Sequence, residues 1–134
     1  MRLMWAVDHE LQSVSKRMLG RLGLTAPQRL ALRFIGRQPR LTASVLSGLL
    51  HLDPGTITGI VKRLEQAGLV ARERNAGDTR LMHLTLTLKG RALNRRRRGT
   101  VEAAVCRVLA DSSQDEVEAT ARVLKRLAAE LEAE

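Results

Sequence analysis

A mainly α fold carrying one small β-hairpin is the class this sequence predicts, and three observations predict it. Apolar residues make up 44% of 134, yet the aromatics come down to Trp5 and Phe34. The core is therefore Leu, Val, Ile and Ala, which suits helix packing. These aliphatic residues recur at helical spacing on both sides of one stretch, "LVARERNAGDTRLMHLTLTL", that alternates in steps of two. Thr, Asp or Ser stands before several of the helical runs, with Pro, Gln or Glu close behind, as N-caps require. The length is one domain's worth of chain, with a core large enough to need no staples.

The elements follow in order. Leu3, Val7, Leu11, Val14 and Met18 define an amphipathic first helix over residues 3–20, which "RLGLT" ends with Gly20 and Gly23 as stop signals. Thr25 caps a second helix: Pro27 sits in its first turn, Gln28 completes a Thr-x-x-Gln capping box, and Leu30, Phe34 and Ile35 form its inner face until "GRQP" closes it. Thr42 caps a short third helix, "ASVLSGLLH", with Val45, Leu46, Leu49 and Leu50 inward. Asp53 caps a fourth with Pro54 at its first position; Ile57, Ile60, Val61 and Leu64 are its apolar set and Gly68 its stop. "LVARER" and "RLMHLTLTL" are the strands of a β-hairpin around "NAGD". Past Lys89 the period returns to 3.6, and Leu93, Val101, Ala104, Val105 and Val108 share one stripe of a long fifth helix. Ser112 or Ser113 caps a sixth, with Glu116 three residues after Ser113 and Val117, Ala121, Leu124, Leu127 and Leu131 along its stripe. Three helices, a hairpin and long helices at both ends describe a winged helix-turn-helix with extra helices.

Charge narrows the partners. Lys and Arg number 23 against 14 Asp and Glu, a formal +9; residues 1–110 hold 20 basic and 7 acidic side chains, residues 111–134 hold 3 and 7. A basic body with an acidic tail points to a polyanion, nucleic acid ahead of an anionic membrane. The single cysteine, Cys106, excludes an intrachain disulfide framework and fits the reducing cytoplasm; beside Val105 it reads as a buried structural thiol. No apolar run reaches 18 residues, so no membrane span is expected, and Asp8, His9 and Glu10 break the N-terminal stretch as no signal peptide would. His9, His51 and His83 are scattered, so no metal site is expected. There is no Ser/His/Asp signature, phosphate loop or carboxylate pair, so the chain is read as carrying no catalytic residues, no cofactor and no enzyme activity.

The fourth helix carries the candidate function. At about 100° per residue, Gly55, Gly59, Lys62 and Gln66 lie opposite its apolar face, with Thr58 and Arg63 at the flanks. A short helix, a tight break and a helix with small, hydroxyl and basic groups outward is how a recognition helix looks. Glycines let its backbone approach a groove wall, Thr hydroxyls and first-turn N–H groups suit phosphate oxygens, and Lys62 and Gln66 reach base edges or phosphates. An ordinary surface helix with a polar outer face is the alternative. On the hairpin, Arg72, Arg74 and Arg80 are three guanidinium groups, and Asp78 is near enough in sequence to hold Arg80 in one pose. A tethered Arg can enter a narrow minor groove; a salt bridge that only stiffens the turn is compatible with that.

From Leu24 to Gly90 the chain resembles the MarR family of winged-helix transcription regulators. "LTAPQRLAL" resembles the family's second-helix opening, and "TITGIVKRLEQAGLVARER" its recognition helix running into the wing. "DTRLMHLTLTLKG" matches the spacing of its wing through Asp78, Arg80, Leu86, Thr87 and Gly90. The resemblance implies a single MarR-like domain over 1–134, with residues 24–90 the DNA-binding lobe and 1–23 and 91–134 the dimerisation helices. It implies a homodimer bound to a pseudo-palindromic operator in double-stranded DNA, acting as a sequence-specific repressor and released by a small-molecule effector. It places Thr56, Thr58 and Lys62 at recognition-helix positions and Asp78 with Arg80 at the wing pair. A non-specific architectural DNA-binding protein is the alternative, favoured by the glycines of the outer face.

One further site comes from "RRRR", Arg95 to Arg98, which covers most of a helical turn. On a continuous fifth helix, Arg97 points along the apolar stripe with Asn94 beside it, where the pair would hold an anionic effector. An Arg–carboxylate bridge to the acidic last helix is the alternative.

Overall fold

A computed structural model describes residues 1–74 and 81–134 of the chain. Its elements run α1 (Arg2–Leu22), α2 (Ala26–Arg37), α3 (Ala43–Leu50), α4 (Pro54–Gln66), β1 (Val70–Arg74), β2 (Met82–Leu86), α5 (Leu88–Arg95), α6 (Val101–Ala110) and α7 (Gln114–Ala133). They form two compact units, Met1–Thr100 and Val101–Glu134.

In the first unit the helix starts are local chemistry. The Thr25 hydroxyl accepts from the Gln28 N–H while the Gln28 side chain accepts from the Thr25 N–H, the reciprocal box expected there. Thr42 caps α3 through the Val45 N–H, and Asp53 caps α4 through the Thr56 N–H with Pro54 behind it. α1 runs through Gly20 and stops only at Gly23, which is left-handed at φ 70° and returns its N–H to the Leu19 carbonyl. The α3–α4 turn passes through His51 at φ 50° and is held by the Ser47 hydroxyl donating to the Leu52 carbonyl.

Leu24, Ala31, Leu32, Ile35, Leu41, Leu46, Ile57, Ile60, Val61, Leu64, Leu69, Val70, Leu84 and Leu86 make one buried cluster. The apolar face of α4 is as expected, whereas those of α2 and α3 are not. Leu30 is exposed and Phe34 only half-buried, because α2 turns Gln28, Arg29, Ala31, Leu32 and Ile35 inward instead. On α3 only Leu46 is enclosed; Val45 and Leu49 are exposed and Leu50 half-buried, since two turns of helix meet the core along one line.

β1 and β2 pair antiparallel, from Val70 opposite Leu86 to Arg74 opposite Met82. Leu41 bridges to Leu84 on the other edge, the Leu84 N–H donating to its carbonyl at 2.8 Å. At the base of the hairpin Thr87 and Lys89 stitch the end of β2 to the turn that follows α4. The Thr87 N–H donates to the Leu69 carbonyl (3.1 Å) and the Thr87 hydroxyl to the Gly68 carbonyl (2.6 Å). The same hydroxyl caps α5 by accepting from the Gly90 N–H, and Lys89 Nζ donates to the Ala67 carbonyl at 2.8 Å. Gly90 lies so close that a Cβ there would overlap the Leu69 carbonyl oxygen.

The long fifth helix expected from the apolar stripe is two helices. α5 stops at Arg95, Arg96 is extended (φ −74°, ψ 105°), Gly99 is left-handed (φ 72°), and α6 begins at Val101. The cause is Arg29 of α2. Its guanidinium, on a residue 1% exposed, donates to the carbonyls of Leu93 (2.9 Å), Asn94 (3.1 Å) and Arg96 (2.9 Å). A continuing helix would give those oxygens to backbone N–H groups four residues on; here the Arg29 side chain takes them, together with the Arg96 N–H on the Leu93 carbonyl and the Arg33 guanidinium on that of Asn94. The Thr100 hydroxyl completes the turn by donating to the Arg97 carbonyl at 2.7 Å.

In the second unit, Ser113 opens α7 with the predicted box: its N–H and hydroxyl both donate to Glu116, at 2.8 and 2.9 Å. These bonds hold the Glu116 carboxyl below the usual carboxylate range. No side chain of α6 or α7 is fully buried, and Val105, Val108, Leu109, Val123, Leu124 and Leu131 stand exposed. Cys106 is exposed too, against the expectation of a buried thiol: residues 101–104 of α6 are half-buried, whereas every residue from Val105 to Ala110 is exposed.

Candidate nucleic-acid interface

The recognition-helix reading rests on how α4 divides. Ile57, Ile60, Val61 and Leu64 are all buried, while Gly55, Thr56, Thr58, Gly59, Lys62, Arg63 and Gln66 are all exposed. The split follows from the spacing: i, i+3, i+4, i+7 leaves the remaining positions on the opposite side. A Cβ at Gly59 would meet nothing within 4 Å, so no packing demands a glycine there.

The first turn of α4 is already satisfied. Asp53 accepts from the Thr56 N–H at 2.8 Å through Oδ1 and from the Thr56 hydroxyl through Oδ2. Those two bonds, the hydroxyl's first, hold the Asp53 carboxyl below its ordinary value. One turn on, the Thr58 hydroxyl donates to the Pro54 carbonyl at 2.8 Å. The expectation that these hydroxyls and first-turn N–H groups suit phosphate oxygens is therefore not what the geometry offers: the Thr56 N–H and both hydroxyl protons are engaged within the helix.

Arg72 and Arg74 are exposed on β1. Arg72 is more than a free cation, because its Nε donates to Glu65 Oε1 of α4 at 2.9 Å. Glu65 is a residue that the sequence reading passed over. The bridge joins helix to hairpin. On the opposite hairpin face the Thr85 hydroxyl donates to Glu73 at 2.9 Å. Asp78 and Arg80, the wing pair of the sequence reading, lie outside the described residues.

Asn94 and Arg97 are not neighbours on one helix face. Asn94 is half-buried on α5, its Oδ1 taking the Arg33 guanidinium at 3.3 Å, whereas Arg97 is exposed in the turn beyond Arg95. The angular count that set Arg97 on an apolar stripe assumed a helix that ends two residues earlier. No helix among the described residues is long and apolar enough to cross a membrane.

Comparison with known proteins agrees with this architecture. The MarR family model matches residues 22–81. The HTH-type transcriptional repressor Rv2887 of Mycobacterium tuberculosis is 33% identical over 125 residues, 93% of this chain and 90% of that protein. The crystal structure of Rv2887 with p-aminosalicylic acid superposes with a TM-score of 0.62 at 32% identity, covering 95% of this chain and 96% of that one. Streptococcus pneumoniae FabT in complex with DNA superposes with a TM-score of 0.74 at 25% identity, covering 98% and 94%. With a relative this similar over nearly its whole length, the chain belongs to the MarR family.

Proposed function

We propose that this chain is the protomer of a homodimeric, sequence-specific repressor that binds a pseudo-palindromic operator in double-stranded DNA and is released by a small anionic ligand. The observation that carries the reading is the outer face of α4, where Gly55, Thr56, Thr58, Gly59, Lys62, Arg63 and Gln66 stand clear of the lobe beside Arg72 and Arg74. The major groove of B-DNA admits one α-helix. In that groove Lys62 and Gln66 reach base edges or phosphates and Arg63 a phosphate. Arg72 and Arg74, with Asp78 and Arg80 as the wing pair that the family resemblance marks, serve the wing beside the minor groove. The dimer is supported by the exposed apolar side chains of α1 (Leu3, Trp5, Val7, Leu11) and of α6 and α7 (Val105, Val108, Leu124, Leu131), of the kind that a second copy covers. A regulator of chromosomal DNA with one free thiol works in the cytoplasm.

Selection of bound fragments from random DNA by the purified protein, at near-physiological salt, tests the reading. An enriched inverted repeat with half-sites about one helical turn apart is expected. Binding without an enriched motif would make the protein an architectural binder instead.

Two substitutions probe the face itself. Gly59→Ala is expected to stabilise the lobe by about 0.5–1 kcal/mol, because a mid-helix glycine costs that much and the added methyl has open space. The same change should weaken operator binding, because the methyl stands where the backbone meets the groove. Thermal melts and operator titrations on one preparation separate the two effects, and gains in both would remove Gly59 from the interface. Lys62→Ala is expected to weaken binding to all sequences alike and to reduce the salt slope by about one unit, as loss of one phosphate contact does; a loss confined to one base position would make Lys62 a base reader.

The ligand is supported by the complex of the relative Rv2887 with p-aminosalicylic acid, and on this chain the candidate to hold it is Arg97, exposed in the turn after α5 and no longer paired on one face with Asn94. Arg97→Ala is expected to leave operator affinity unchanged and to blunt the release of DNA by salicylate-class acids. An undiminished release in fluorescence anisotropy moves the ligand elsewhere.

A further inference from the structure

The threonines of α4 bear on which bases the helix reads, an inference that rests on the regulator reading above. A hydroxyl has one proton to give and two lone pairs with which to accept. In both bonds made by these threonines the partner can only accept: Asp53 is an ionised carboxylate and Pro54 offers a carbonyl. The direction of each bond is thus settled by chemistry, with Thr56 donating to Asp53 and Thr58 donating to Pro54. What the two exposed side chains turn outward is oxygen lone pairs.

A phosphate oxygen also only accepts, so it gains nothing from either threonine as they stand. Turning the Thr56 proton to a phosphate would strip a carboxylate of its partner just as a second anion arrived. Turning the Thr58 proton would give up the bond to Pro54. The major groove, in contrast, presents two kinds of hydrogen-bond donor, N4 of cytosine and N6 of adenine. By helical angle Thr56 and Thr58 lie on the two edges of the outer face, with Gly55 and Gly59 along its middle. Over its first two turns, ahead of Lys62 and Gln66, that midline carries only Gly55 and Gly59, which lets this end of the helix settle until its edges are level with the bases.

We propose that Thr56 and Thr58 are specificity-determining residues, each accepting a hydrogen bond from a base amino group, cytosine N4 or adenine N6, and that neither contacts phosphate. The operator half-site then carries an adenine or cytosine amino group opposite each edge of α4, and Lys62, a donor only, takes no part in reading it.

The test uses the full-length protein and the operator obtained by selection. Duplexes in which single adenines are replaced by purine, and single cytosines by pyrimidin-2-one, lack one amino group each. They are titrated against wild type, Thr56→Val and Thr58→Val, with circular dichroism confirming the fold and Thr→Ser variants restoring the hydroxyl. For each threonine one position per half-site is expected where losing the amino group costs wild type about five- to tenfold, the size of one hydrogen bond. The matching Val variant should lose nothing there, and its Ser counterpart should behave as wild type. Any weakening of the duplex by the analogue is common to both proteins and cancels in the cycle. A Val variant that loses affinity equally on every duplex, as a phosphate contact would, overturns the proposal, and so does one that loses none. If selection enriches no motif, the regulator reading falls and this inference with it; an enriched motif without coupling overturns the inference alone.

Discussion

Gly90→Ala is expected to cost the first unit about 4 kcal/mol or more, a size reserved for a few mechanisms and a large share of the 5–15 kcal/mol that holds a typical domain. The added Cβ would overlap the Leu69 carbonyl oxygen and lie 2.9 Å from its carbonyl carbon. Neither obstacle is a side chain that could rotate away. That oxygen also accepts the Thr87 N–H, so moving it opens the base of the hairpin, and the Thr87 and Lys89 bonds to Gly68 and Ala67 go with it. Urea unfolding followed by circular dichroism checks this, and a midpoint within error of wild type would show that the backbone yields at little cost. The resemblance marked Gly90 as a family position; the structure supplies the reason for it, a close approach of two backbones.

The second large effect is at Arg29. Arg29→Met is expected to destabilise the protein by about 1–3 kcal/mol, the cost of taking the charged donor from buried carbonyl acceptors. Burying the guanidinium carries its own penalty, which methionine would relieve, so the sign has to be decided. It is decided by what remains: the Arg96 carbonyl loses its donor at 2.9 Å, the Leu93 and Asn94 carbonyls keep only the Arg96 N–H and the Arg33 guanidinium, and an unsatisfied buried acceptor costs about 1–3 kcal/mol. Arg29→Lys should recover part of the loss, because an ammonium reaches one or two of the oxygens but lacks the planar fork that spans three. Denaturant titrations of the three proteins give the order wild type, Lys, Met; a Met variant as stable as wild type would show that water reaches those carbonyls.

What could be read from the chain was what is local. The caps at Thr25, Thr42, Asp53 and Ser113 are decided by residues within one turn; the first three are as read, and Ser113 is one of the two serines that the sequence offered. The division of α4 was legible because its apolar spacing is strict and only that one face meets the core. The α5–α6 break was not, because the group that ends α5 lies more than 60 residues away in sequence and arrives only by folding. The exposure of Leu30, Val45 and Leu49 depends on how far α2 and α3 turn against their neighbours, which periodicity leaves open. Glu65 and Arg72 are seven residues apart across a helix-to-strand turn, a distance at which no helical rule pairs them. The commitment of Thr56 and Thr58 did have a signal: a threonine three residues after an Asp cap, and another four after Pro54, are where side chains bond back to their own helix.

The Arg29 clamp also says something about time. The stitch at Thr87 and Lys89 joins residues 18 to 22 apart, while the clamp joins residues 64 to 67 apart and needs α2 and α5 already in place. Loop closure favours the shorter connection, so the stitch belongs to the early part of folding and the clamp to its completion. An interaction made after the rate-limiting barrier governs how long the native state lasts, not how fast it is reached. Arg29 thus acts as a latch on the lifetime of the lobe: its loss shows in the unfolding limb of a chevron, with the refolding limb left where it was.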